Sequence, residues 1–126
     1  MNIGIIGYGY WGPNLVRNFS SIIECKVHTL CDIRLERLKQ TINNYPHLKL
    51  TQSIDEVVND TSIDAIVIAT PVNTHFPIAQ KALHAGKHVL IEKPMATSVK
   101  ESEILIEIAE QNKKVLMVDH TFLYTG

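Results

Sequence analysis

Six short runs of this sequence are apolar nearly throughout, and helical spacing separates them. They are NIGIIG (2–7), KVHTLCD (26–32), LKLTQ (48–52), DAIVIAT (64–70), HVLIEK (88–93) and KVLMVDH (114–120). Runs that stay apolar from residue to residue, without alternating, suit strands covered on both faces, as in a parallel sheet. Between them, Pro13 suits the first turn of a helix whose face carries Leu15, Val16 and Phe19. Leu35, Leu38 and Ile42 mark a second helix, and Ile54, Val57 and Val58 a short third. Ile78, Ala82 and Ala85 form a stripe that Gly86 should stop. Ser98 with Glu101 reads as a capping box ahead of Ile104, Leu105, Ile108 and Ala109. Strand and helix in alternation predict an α/β fold: a Rossmann-type doubly wound parallel sheet of about six strands, with helices on both faces. Residues 1–126 read as one domain.

Composition narrows the function classes. The chain has 126 residues and a formal net charge of -1, so bulk charge gives no case for a nucleic-acid or membrane partner. No run is long and apolar enough to span a bilayer, and the N-terminus lacks the basic and apolar segments of a signal peptide. Cys25 and Cys31 are too few for a disulfide framework, and their spacing fits no zinc pattern. They read as buried thiols in a reduced, cytoplasmic setting. His84 and His88 stand four apart, but Gly86 should end the helix between them, so no metal site is expected.

The first apolar run ends in Gly7-Tyr8-Gly9-Tyr10-Trp11-Gly12, a G-x-G-x-x-G between strand and helix. In that setting each glycine has a task. Gly7 allows the tight turn, Gly9 lets a pyrophosphate approach the backbone, and Gly12 lets the helix pack on the strand. Asp32 ends the second strand 20 residues after Gly12, where a ribose-binding acid belongs. A carboxylate there accepts from ribose hydroxyls and repels a 2′-phosphate, which favours NAD over NADP. Arg34 stands nearby and can either accept that phosphate or lie flat on the adenine. Tyr10 and Trp11 fit simple packing or partial exposure toward a ligand.

Ligands in doubly wound sheets bind outside the C-terminal strand ends. Gly7, Asp32, Thr70 and Lys93 all fall there. The segments GYGYWGPN, ATPVNTHFPIAQKALHAGKHVLIEKP and VDHTFLY resemble the N-terminal NAD-binding domain of the Gfo/Idh/MocA oxidoreductase family, over nearly the whole chain. The GYWGPN form is most similar to bacterial members acting on nucleotide sugars, such as UDP-N-acetylglucosaminuronate 3-dehydrogenases.

The resemblance implies hydride transfer between nicotinamide and a sugar or polyol. It implies that Lys93 does acid–base work at the reacting carbinol and that Glu92 holds the nicotinamide ribose. Pro94 would follow a cis peptide, and Thr70, Pro71, Asn73 and His75 would line the cofactor. A C-terminal substrate and oligomerisation domain would be absent from this chain, along with a family histidine near the reacting carbon. The whole protein would then be a homo-oligomer with a small-molecule sugar substrate. His75 otherwise reads as a helix-start residue, and His120 as substrate-facing or as a plain surface histidine. A non-catalytic NAD-binding module is the rival reading. A methyltransferase-like domain is a weaker one, against which the Glu92-Lys93-Pro94 motif argues.

Overall fold

A computed structural model describes residues 1–124, apart from the side chains of Phe122 and Tyr124. Strands β1 (Asn2–Ile6), β2 (Lys26–Cys31), β3 (Lys49–Thr51), β4 (Ala65–Ile68), β5 (His88–Glu92) and β6 (Leu116–Asp119) form one sheet in the order β3-β2-β1-β4-β5-β6. Every neighbouring pair is parallel. The helices are α1 (Gly12–Ser20), α2 (Leu35–Lys39), α3 (Ile54–Asn59), α4 (His75–His84) and α5 (Val99–Gln111), with a 3₁₀ turn at Val72–Thr74. Strand order reverses between β1 and β4, so the crossovers leave that point in opposite directions and open a crevice above it.

Two cores explain why the strands are apolar on successive residues. Ile3 and Ile5 pack with Leu15, Val16, Leu30 and Leu38 on the α1–α2 face. Ile6, Ile66, Ile68, Val89 and Ile91 pack with Val57, Ile78, Leu83 and Leu105 on the other. Coverage of the first face thins toward β6. There Leu90, Val115 and Met117 line a shallow apolar hollow of about 280 Å³, and Met117 is exposed. The runs therefore predict covered strands more completely than the described residues deliver.

Local signals hold in most places. Pro13 lies in the first turn of α1. Gly86 takes φ +76° just past α4 and ends it. Ser98 Oγ accepts from the Glu101 amide at 3.2 Å, but Glu101 Oε2 reaches the amide of Thr97, one residue before the cap, at 3.0 Å. The second helix is shorter than the Leu35–Leu38–Ile42 spacing predicts. It ends at Lys39, Ile42 is exposed, and Thr41 is buried with its hydroxyl donating to the Leu38 carbonyl at 2.7 Å. That bond lets a polar residue occupy the buried position and turns Ile42 outward. Of the two thiols, Cys31 is buried and Cys25 only half-buried. Among the described residues, no helix is long and apolar enough to cross a membrane.

Candidate functional site

All strands run the same way, so their C-terminal ends share one edge of the sheet. Two adjoining chambers lie along it. One, of about 340 Å³, opens between the glycine turn, Asp32 and the loop after β4. The other, of about 270 Å³, lies between Tyr10, Trp11, Glu92 and Lys93. Ala69, Thr70 and Pro71 line both.

The glycine turn has the geometry its spacing predicts. Gly7 sits at φ +103°, and a Cβ there would lie 2.5 Å from the Ala69 carbonyl oxygen, so only glycine fits between β1 and β4. A Cβ on Gly12 would meet the Gly7 carbonyl oxygen at 2.8 Å, which keeps α1 tight on the end of β1. Within 4 Å, a Cβ on Gly9 would meet only a terminal nitrogen of Arg37, at 3.5 Å. Gly9 therefore presents bare backbone to the first chamber. The start of α1 carries no side-chain cap, so its first amides and the positive end of its dipole suit an anion.

Asp32 is buried and organises this chamber. One carboxylate oxygen accepts from the Tyr8 amide at 2.7 Å, and the other from the Arg34 amide at 2.8 Å. Arg37 Nη1 stands 3.5 Å from the first oxygen. The acid thereby ties the glycine turn to the end of β2. Carboxylate oxygens offer about four acceptor sites, so capacity for ribose hydroxyls remains. Arg34, Asn73 and Ile33 also line this chamber.

In the second chamber Tyr10 is 87% exposed and Trp11 37%, and their rings meet edge to face at 5.3 Å. Both face the opening and are not packed into the core. Lys93 is exposed at the rim, Glu92 is half-buried, and the Lys93–Pro94 peptide is cis. Burial first, and then the Asp119 charge and hydrogen bond, push the Glu92 carboxyl above the ordinary carboxylate range.

His75 lies beneath this chamber, with only 1% of its surface exposed. Its Nε2 is 2.7 Å from the Thr70 carbonyl oxygen and its Nδ1 2.8 Å from the Pro94 carbonyl oxygen. Each ring nitrogen stands against a backbone carbonyl, a neutral ring donating to one of the two according to its tautomer, and the ring bridges the loop after β4 and the loop after β5. His75→Leu should lower stability by about 1–2 kcal/mol, because the ring's hydrogen bond to the loop backbone is lost at a buried position. Urea unfolding measures this.

Several residues at the site were not among the sequence candidates. Arg37 reaches over the glycine turn from α2. It stands three residues beyond Arg34, which precedes α2 in extended conformation, and that nearness in sequence was the available signal. Thr74 donates to the Pro71 carbonyl at 2.6 Å and meets the Thr70 hydroxyl at 2.7 Å, bracing the shared wall. Asp119 pairs with Glu92 in the β5–β6 register. His120 is exposed past the end of β6 and lines neither chamber. Burial, with Asp32 and Glu56 adding to it, pushes the Cys31 thiol up to about 11, so it is no nucleophile at neutral pH. Among the described residues, no group of three or more His, Cys, Asp or Glu could hold a metal.

The residues fit a dinucleotide: bare backbone at Gly9, an uncapped helix start, and a buried acid at the end of β2. Comparison with known proteins agrees. The family model described as "Oxidoreductase family, NAD-binding Rossmann fold" matches residues 1–120, and the chain belongs to this Gfo/Idh/MocA family. A glycosyl hydrolase family 109 protein of Shewanella sp. (strain ANA-3) is 32% identical, over 98% of this chain and 29% of its own length. A UDP-N-acetylglucosamine 3-dehydrogenase of Acidithiobacillus ferrooxidans is 31% identical, over 95% of this chain and 37% of its own. The crystal structure of an NAD-binding protein from Listeria innocua superposes with a TM-score of 0.91 at 32% identity, over 98% of this chain and 36% of that one. Other solved structures of the fold hold NADP or NAD. The chain spans roughly a third of the length of these relatives. It is an NAD(P)-binding oxidoreductase domain by family.

Proposed function

We propose that residues 1–126 are the dinucleotide-binding unit of a dehydrogenase that moves a hydride between nicotinamide and a sugar carbinol. NAD is the preferred cofactor, and a nucleotide sugar the substrate class. The observation that carries this reading is the pairing of the two chambers. Asp32 and Gly9 line one, Glu92 and Lys93 line the other, and a common wall joins them. The similarity to a UDP-N-acetylglucosamine 3-dehydrogenase supports the substrate class.

Each residue has a stated part. Gly7, Gly9 and Gly12 bring bare backbone and the start of α1 against the pyrophosphate. Asp32 accepts from the adenosine ribose hydroxyls. Arg34 and Ile33 flank the adenine, with the guanidinium stacking on its face. Asn73, Thr70 and Pro71 line the middle of the cleft. Tyr10, Trp11, Glu92, Lys93 and Pro94 surround the nicotinamide end, and His75 holds two of its loops together. When bound, the nicotinamide supplies the acceptor for the carbinol hydride. Lys93 takes or relays the hydroxyl proton, a task that suits a lysine at the rim, within reach of substrate and water. His120, exposed just past β6 and outside both chambers, is the candidate to meet substrate from the solvent side. Substrate orientation and oligomer contacts come from residues outside 1–126, in a reduced, cytoplasmic setting.

The test pairs two measurements on the 126-residue chain. NAD titration should show saturable binding. NADH production with UDP-N-acetylglucosaminuronate should stay at background, because orienting the reactants carries ~7–11 kcal/mol of such barriers and this chain supplies one wall of the pocket. Absence of NAD binding would refute the cofactor assignment. Robust turnover would show that the site is complete within these residues.

A further inference from the structure

The last residue pair in the β5–β6 register is Glu92 with Asp119. Neighbouring strands lie about 4.8 Å apart, so paired residues of a parallel sheet project side by side. Here two acids do so at the functional edge. Both are half-buried, and Glu92 lines the second chamber. Two carboxylates side by side and half out of water repel each other, and a proton on one of them relieves that repulsion and lets it donate to the other.

We propose that Asp119, acting through Glu92, forms a carboxyl pair that holds a single proton beside the nicotinamide chamber and sets its preference between oxidised and reduced cofactor. The preference rests on the functional reading above; the pair itself does not. Asp119 is a positioning residue, since it reaches the chamber only through Glu92.

Burial and the neighbouring acid both raise the Glu92 carboxyl, while the Lys93 amide and charge act in the opposite sense. The other titratable groups around the chamber are His75 of α4 and Tyr10 of the glycine turn, and exposed His120 follows Asp119. With its proton the pair carries one negative charge; without it, two. The oxidised nicotinamide ring is cationic and the reduced ring neutral. Losing the proton therefore favours the oxidised form. As pH rises through the pair's titration, affinity for NAD should gain on affinity for NADH.

Asp119→Asn removes the like charge and places an amide donor against Glu92. The Glu92 carboxyl should then titrate about one pH unit lower or more. Carbon-13 NMR on protein labelled at glutamate carboxyls reads this directly. The pH at which the NAD-to-NADH affinity ratio steps should fall by the same amount. Glu92→Gln, which cannot hold the proton, should abolish the step. A Glu92 titration unchanged by Asp119→Asn would overturn the pair. A ratio step that stays in place despite a shifted titration would overturn its influence on the cofactor. If neither dinucleotide binds wild-type protein, the functional reading fails and the preference with it. The carboxyl titration still decides the pair.

Discussion

Lys93→Met, made in the whole protein, should suppress turnover by ~10²–10⁴-fold, the usual contribution of a general acid or base. Dinucleotide affinity should stay near the wild-type value. The methionine keeps much of the stem volume but carries no proton. Lys93 sits at the rim of the second chamber, so the substitution leaves the glycine turn, Asp32 and the start of α1 untouched. Steady-state kinetics on the true substrate, run beside a cofactor titration, separates the two effects. Near-normal kcat would show that Lys93 serves structure instead of proton transfer. A large loss of cofactor affinity at unchanged kcat would make it a binding residue.

Asp32→Ala should weaken NAD binding by well over tenfold. One charged hydrogen bond to the ribose is worth on the order of 2 kcal/mol. The fold adds a second loss. The carboxylate also accepts from the Tyr8 and Arg34 amides, so its removal leaves two donors unpaired and weakens the tie between the glycine turn and the end of β2, where the Gly7 amide still donates to the Cys31 carbonyl at 2.8 Å. Stability should fall as well, which urea unfolding would register. Asp32→Asn keeps one acceptor oxygen and should lose less of both. Calorimetry showing equal affinity for wild type and Asp32→Ala would remove Asp32 from the site. Cofactor choice depends on the same contacts. Arg37 stands 3.5 Å from the Asp32 carboxylate and Arg34 flanks the chamber, so two guanidinium groups are available to a 2′-phosphate. A wild-type preference for NADP would mean that these arginines outweigh the acid.

Some of this was legible in the residues and some was not, and the division follows the range of the interactions. The turn at Gly7–Gly12 is local. Gly7 and Gly12 are there because backbone atoms just after β4, or within the turn itself, leave no room for a side chain, while Gly9 leaves its backbone bare. Spacing alone therefore reported it. The Ser98 cap is equally local. Apolar periodicity places Ile42 on the buried face, and the side-chain hydrogen bond of Thr41 gives that position to Thr41 instead. Arg37 lay one helical turn past a residue already singled out, yet charged residues on short helices usually face water. Asp119 and Glu92 are far apart in the chain, and nothing within either segment says that β5 and β6 are neighbours in register. His75 was recognisable by motif. That both its nitrogens would stand against backbone carbonyls depends on two loops meeting, and only the folded chain shows it.

The wall shared by the chambers has a thermodynamic consequence. Thr70 and Pro71 line both, and His75 with Thr74 fastens that stretch to its surroundings. A dinucleotide is in effect a bivalent ligand with a short tether. In the proposed mode, once its adenosine half is seated, the nicotinamide half is presented to the second chamber at an effective concentration on the order of millimolar. Because one braced segment lines both pockets, the span between them is held fixed. Two half-sites, each weak for its own mononucleotide, can therefore hold the joined molecule far more tightly than either holds its part.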